Sequence, residues 1–352
     1  MIKKIKLKLS KVLEILGSMF LSTGKHLSEI AYYAHLNNTD TPMLQEEAKE
    51  DTKKEINYIT SFFEYDEFID KCRSLLKDED KLRILMDSHI LDGRKFIEQF
   101  DTNQTDDPFS AEYSEWEKKF FEFLSDSDYL IDKEGMEVKT DDEIDEILNF
   151  PMYASWKIEK YIAFHEKVFD LLRVLNLDKS SRVIEMGFGG GGLIDVFCRL
   201  GFNNLSAIDI SPAACEIVRR RCAASGITAN VHCGQFFDIE NLNSGFDTIV
   251  FDSSFHHCDD PVRLLSALRK KISQNGQLAF LNEPIMEHAE RPWGIIRYDG
   301  ECIMQIRMRG WMEMGIREDF FIEALKRTGW SLSQRHIGSY SGAVPLFVAK
   351  PY

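Results

Sequence analysis

The stretch Glu185-Met186-Gly187-Phe188-Gly189-Gly190-Gly191-Gly192 constrains this chain more than any other feature. A short β-branched run, SRVIEM, leads into it, and an apolar run of helical character leads away. Glycines let the backbone turn tightly and approach a ligand with no Cβ in the way. A turn that ends a strand and opens a helix also presents outward-pointing N–H groups, which phosphates favour. Gly187, Gly189 and Gly192 fit the GxGxxG spacing, which taken alone suits a dinucleotide as well as other nucleotide ligands.

Downstream, the pattern alternates between strand and helix. Residues 157–176 read as a helix, SRVIEMG as a strand, and the residues up to Gly201 as a helix. LSAIDIS, ANVHCG, FDTIVFDSS and GQLAFLNEP read as strands, with SPAACEIVRRRCAASG and PVRLLSALRKKI as helices between them. EDFFIEALKRTGW is a further helix, and SLSQRHIGSY and AVPLFVAKPY are strands close enough to pair as neighbours. This alternation predicts a doubly wound parallel α/β sheet over residues 151–352.

Two carboxylates sharpen the ligand. Glu185 would repel a pyrophosphate, yet suits a ligand whose amino-acid part carries an ammonium and a sulfonium. Asp209 ends the next strand, where a carboxylate accepts hydrogen bonds from both ribose hydroxyls in nucleotide-binding folds. With these residues, the chain from about residue 150 onward resembles class I S-adenosylmethionine (SAM)-dependent methyltransferases. The E-x-G-x-G-x-G form stands as Glu185, Gly187, Gly189 and Gly191. The resemblance implies a Rossmann-like, mostly parallel sheet with an antiparallel C-terminal strand, SAM as cofactor and S-adenosylhomocysteine (SAH) as product. It implies that Glu185 and the glycine backbone hold the methionine part, and that Asp209, with Ile210 beside it, holds the ribose. That family usually has Gly-Asp after the third strand, and this chain has Gly234-Gln235. The adenine contact therefore falls to the Gln235 carbonyl or to Phe236, with Asp238 in reserve. Asp252, at the end of the fourth strand, completes the cofactor set. An NAD(P)-dependent oxidoreductase remains the rival for the glycine motif, opposed by Glu185.

Methyl transfer needs an in-line nucleophile and often a base. His256 and His257 follow the fourth strand at the carboxyl edge, where ligands sit in open α/β sheets, and either could deprotonate a hydroxyl. Two adjacent histidines could also ligate a metal with Asp259 or Glu283. Side chains at i and i+1 diverge, however, so no metal is expected. A purely structural pair is the third reading. Beyond the fifth strand, Glu283, Trp293, Arg297 and Asp299 lie in a connection rich in Trp, Arg and acids, which suits a polar, ring-shaped ligand. The SFHHC segment, the EP…PWG..R.DG run and GW.E.G.R.D.F resemble methyltransferases of bacterial surface-polysaccharide and other glycan loci. Residues 108–116, Tyr129…Glu134 and 151–153 resemble the segment that precedes the SAM fold there. This implies O-methylation of a sugar, sugar nucleotide or glycan terminus. A small-molecule or protein N/O-methyltransferase with no glycan role stays open.

The other half of the chain differs in charge. Residues 41–150 hold 32 acids against 14 bases, whereas residues 151–352 hold 23 of each. The shift places a boundary near residue 150, with an acidic, mainly helical domain over 28–150. Residues 2–20 show an amphipathic basic helical pattern, giving a segment 1–27 that suits docking on a membrane surface or a partner. The net charge of −15 argues against nucleic acid as a partner. Seven cysteines without a CxxC pair read as free thiols of a reducing compartment. No signal peptide is evident, and the expected location is the cytoplasm, with the inner membrane face as the option that residues 2–20 add.

Overall fold

The computed structural model describes residues 107–135, 158–287, 291–295, 309–337 and 345–352, together with Ile144, Leu148, Cys302, Gln305 and Ile306. The basic segment 1–27, most of the acidic stretch 28–150, and Arg297 and Asp299 lie outside the described residues. No helix among the described residues is long and apolar enough to cross a membrane.

The sheet grows outward from its middle. Strand β1 (Val183–Met186) pairs in parallel with both β2 (Leu205–Asp209) and β4 (Phe246–Asp252). All four of its residues are buried, as expected of an apolar run covered on both faces. Strands β3 (Asn230–Cys233) and β5 (Ile272–Leu281) extend the parallel sheet on either side. Strand β10 (Pro345–Pro351) then runs antiparallel between β5 and β9 (Trp330–Ile337). The order is β3-β2-β1-β4-β5-β10-β9. This is the doubly wound sheet that the sequence pattern predicts, with the antiparallel finish that the resemblance implies.

Side chains alternate across the strands and divide the core in two. On one face, Val183, Ala207, Val250 and Ala279 meet α2 (Ile158–Leu175), α3 (Gly192–Arg199) and α4 (Pro212–Ala224). On the other, Ile184, Ile208, Phe251 and Phe280 meet α5 (Pro261–Arg269) and α6 (Glu318–Arg327). Local chemistry starts two of these helices. The Ser211 hydroxyl accepts the Ala214 amide at 3.2 Å and the Asp260 carboxylate accepts the Arg263 amide at 2.9 Å, each just before a proline.

The second face carries a helix from the acidic half. Helix α1 (Ala111–Ser125) buries Tyr113, Phe120, Phe121 and Leu124 in the same cluster as Phe251 and Phe280. Helix α1, on the acidic side of the composition boundary at residue 150, therefore shares a core with the sheet. Its Glu112 and Glu115 face solvent, whereas Glu117 is buried with the aromatics that face the sheet. Beyond β5, a small three-stranded sheet joins β6 (Ile285–Met286), β8 (Gly315–Arg317) and β7 (Trp293–Ile295). The Tyr113 hydroxyl donates to the Trp293 carbonyl at 3.1 Å and ties α1 to this sheet.

If α1 belongs to the sheet's folding unit, Phe120→Ala and Phe280→Ala should each cost about 3–5 kcal/mol. Both should move one shared urea transition followed by circular dichroism. A separate early transition affected only by Phe120→Ala would show that α1 folds independently.

Candidate active site

The strand order reverses between β1 and β4, and ligands of open α/β sheets bind in the crevice at such a switch point. The glycine turn rises there, and its glycines do different work. A Cβ at Gly187 would lie 2.7 Å from Ser254 Cβ, and one at Gly191 would overlap the Val218 side chain. These two positions are glycine because neighbouring elements press against the turn. Gly189 has φ +49° and a Cβ there would meet nothing within 4 Å, so its open side faces the crevice. Asp209 braces the turn, accepting the Gly189 amide at 2.7 Å and the Ser211 amide at 2.8 Å. Burial raises the Asp209 carboxyl, opposed by those amides.

Below the turn stands a second acidic group. Glu185 is 2% exposed, and its Oε2 has no hydrogen-bond partner among the described residues. Burial, then the Asp252 carboxylate, push Glu185 well above the ordinary carboxyl range, against the pull of Lys167. Asp252 is itself held by Lys167 of α2, whose Nζ lies 2.8 and 2.7 Å from its two oxygens. An unpartnered buried oxygen costs free energy until a donor meets it. A ligand ammonium is such a donor, and the SAM methionine group carries one. The residues present thus fit that cofactor.

The crevice contains a cavity of about 200 Å³. Gly187, Gly189, Asp209, Ile210, Gln235 and Phe236 form its cofactor side. Ile131, Glu134, Ser253, His257 and Trp311 form the opposite wall. Gln235 also starts the 3-10 turn Phe236–Asn241 through a capping box with Asp238, which uses the Asp238 carboxylate inside the loop. A larger surface depression of about 680 Å³, lined by Arg182, Asn204 and Arg219 among others, lies at the amino ends of the strands, the wrong end for a ligand of this fold.

The histidines are placed by a buried carboxylate. Glu283 Oε1 accepts the Ser254 and Phe255 amides at 2.8 and 2.9 Å. Its Oε2 accepts the His256 amide at 3.2 Å and meets His256 Nδ1 at 2.7 Å. Burial alone would raise the Glu283 carboxyl, but the His256 ring and these amides hold it below its ordinary value. His256 Nε2 then meets Glu313 Oε1 at 3.2 Å. His257 Nδ1 meets Glu134 Oε2 at 2.9 Å, and its Nε2 meets Glu313 Oε2 at 3.3 Å. Burial lowers the His257 pKa, but its bonds to Glu134 and Glu313 overcome this and push it up to about 10.

Several expectations change accordingly. Neither histidine has an uncommitted ring nitrogen, so neither is the free imidazole base the sequence suggests, and only His257 borders the cavity. The two rings do not diverge. Their centroids lie 4.3 Å apart at 39°, because the 3-10 turn Phe255–His257 is anchored from below by Glu283 and from above by Glu313. Glu283 holds the backbone rather than lining an acceptor site, and Trp293 is buried at 3% exposure under α1. Glu185, Gly191 and Asp252 do not line this cavity. The sequence motifs contain Glu134 and Glu313 without marking them as site residues, and Lys167 lies outside them; the three stand 123, 57 and 85 residues from their partners.

Comparison with known proteins bears on the cofactor half. Residues 183–276 match the family described as the methyltransferase domain. An uncharacterized protein of Synechococcus sp. is 33% identical over 100 residues, 28% of this chain and 24% of that protein. The ubiquinone biosynthesis O-methyltransferase of Xanthomonas euvesicatoria pv. vesicatoria is 28% identical over 99 residues, 28% of this chain and 41% of the relative. The chain thus spans less than half the length of these curated relatives. Among solved structures, mitomycin 7-O-methyltransferase matches with a TM-score of 0.43 and 16% identity, covering 70% of this chain and 73% of that one. An O-methyltransferase of neocarzinostatin biosynthesis, in complex with SAM and 2-hydroxy-5-methyl naphthoic acid, matches with a TM-score of 0.38 and 19% identity, covering 53% and 56%.

The two glycines give a contrast. Gly191→Ala forces a methyl into Val218 at a left-handed position and should cost about 2–4 kcal/mol in thermal unfolding. Gly189→Ala should cost only about 1–2 kcal/mol and weaken SAH binding, measured by calorimetry. Equal losses of stability would refute this division of labour.

Proposed function

We propose that this chain is a SAM-dependent methyltransferase that methylates a hydroxyl of a sugar, sugar nucleotide or glycan terminus. The observation that carries the cofactor is the unpartnered Oε2 of Glu185 beneath the glycine turn. Bound SAM supplies an electrophilic methyl group on a sulfonium. Glu185 and the Gly187–Gly189 backbone hold the methionine part, and Asp252 acts through Lys167 at that end. Asp209 and Ile210 hold the ribose, while Gln235 and Phe236 border the adenine.

The acceptor comes to the opposite wall. Trp311 offers an aromatic face, its ring edge-on to His257 at 5.8 Å, beside Glu134 and Ser253. An aromatic face flanked by carboxylate and hydroxyl groups suits a polyhydroxylated ring. The resemblance of residues 254–258, 283–300 and 310–321 to glycan-locus methyltransferases supports the same substrate class. His257, pushed up to about 10, already holds both ring protons near neutral pH. The acceptor's proton therefore passes to the Glu134 carboxylate that borders the cavity, which His257 pairs and orients. Glu313, His256 and Glu283 support this pair. A phenolic small molecule is the second reading, favoured by the match to a ubiquinone biosynthesis O-methyltransferase.

Radiolabelled SAM with panels of nucleotide sugars, glycans, phenols and amines tests both readings. Label should enter the sugar acceptors. His257→Ala should cut turnover by about 10²–10⁴-fold while SAH binding persists. Glu185→Gln should weaken SAM binding by roughly tenfold to a hundredfold. Label found only in phenols or amines refutes the sugar assignment, and absence of SAM and SAH binding refutes the whole reading.

A further inference from the structure

We propose that His256, His257 and Glu313 form a binding site for one divalent transition-metal ion, set in the acceptor wall of the cavity. The ion's place in catalysis rests on the methyltransferase reading; its binding does not. Both Nε2 atoms point at one carboxylate, His256 to Oε1 at 3.2 Å and His257 to Oε2 at 3.3 Å. The candidate ligand atoms all lie within 4.8 Å of one another. With metal–ligand bonds of about 2.0–2.2 Å, neighbouring ligands around one ion sit roughly 3.0–3.5 Å apart. The two nitrogen–oxygen separations already have that length.

The other ring nitrogens supply an independent observation. His256 Nδ1 is held by Glu283 at 2.7 Å and His257 Nδ1 by Glu134 at 2.9 Å. A metal-ligating histidine characteristically donates its second N–H to a carboxylate, which fixes the tautomer and aims the remaining lone pair. Here both rings have that partner, and both partners are anchored. Glu283 accepts three backbone amides, and Glu134 Oε1 accepts the Met312 amide at 2.7 Å. The same gap could instead hold two Nε2 protons, which would set two imidazolium rings 4.3 Å apart.

Two imidazoles with one carboxylate select first-row ions such as Mn²⁺, Fe²⁺, Co²⁺ or Zn²⁺ over Mg²⁺ and Ca²⁺. Three protein donors leave coordination positions open. His257 borders the cavity beside Glu134 and Trp311, so those positions face the acceptor, and a hydroxyl or carbonyl oxygen of the acceptor can fill them.

The test uses tag-free full-length protein stripped with EDTA and titrated with Co²⁺, Mn²⁺ and Zn²⁺, with SAH binding measured on the same preparations. Wild type should take up one equivalent of Co²⁺ with a visible d–d absorption band. Glu313→Gln and His257→Gln should abolish the band, and Glu134→Gln, which alters the support of His257 but removes no metal ligand, should weaken Co²⁺ binding about 10–100-fold. Uptake of none of the three ions by wild type that still binds SAH overturns the metal site and leaves the methyltransferase reading standing. Uptake unchanged in Glu313→Gln and His257→Gln also overturns it. Uptake lost in those variants, in a protein that never binds SAH, upholds the site and refutes the proposed function.

Discussion

The carboxylate of Glu283 fixes the geometry on which the site depends. It carries a buried charge at the carboxyl edge of the sheet, and such a charge is costly unless every lone pair finds a donor. Three consecutive amides and the His256 ring meet that demand, so the chain leaving β4 has little freedom. Ser253 and Asn282 take left-handed conformations, φ 56° and 57°, and Asn282 donates to the Ser253 hydroxyl at 2.6 Å. The kink delivers Ser254 onto the Met186 carbonyl and against Gly187, which in turn requires glycine there. One carboxylate thus sets both the histidine pair and one wall of the glycine turn.

Acidic groups gather in two places near the cavity. Beneath the glycine turn, Glu185 and Asp252 are buried together, with Lys167 committed to Asp252. Around the turn Phe255–His257, Glu134, Glu283 and Glu313 surround two imidazoles, so carboxylates outnumber the rings. Buried carboxylates of this kind are tolerated where cations pair with them. A ligand carrying an ammonium and a sulfonium meets the first need, and a divalent ion meets the second.

Much of the frame was legible in the sequence because it rests on local rules. Ser211-Pro212 and Asp260-Pro261 announce helix starts, the β-branched run before the glycine turn announces β1, and the two closing strands pair as their spacing suggests. What escaped was non-local. Glu134 and Glu313 stand in the Tyr129…Glu134 and GW.E.G.R.D.F runs. They meet His257 only when segments far apart in the chain come together, and neither run says which histidine its acid will pair with. Adjacency suggested that the two rings would part, since spacing along the chain says nothing of a carboxylate that bridges them from another segment. The acidic composition of residues 41–150 suggested a separate domain, because charge counts register the solvent face of α1 and miss its buried aromatics.

The division of the chain follows from this. Gly187, Gly189, Asp209 and Gln235 reach the cavity from contiguous β-α units. Ile131 and Glu134, which precede the sheet, and Trp311, which follows β5, complete its lining. The Glu134 carboxylate joins these two pieces, accepting the Met312 amide with one oxygen and meeting His257 with the other. A change in either segment can therefore reshape the part of the cavity lined by Ile131, Glu134 and Trp311 while leaving the β-α units around the glycine turn intact. Neither segment can be removed without leaving His257 short of a partner. The acidic half of the chain thus supplies Ile131 and Glu134 to the cavity lining as well as buried aromatics to the core.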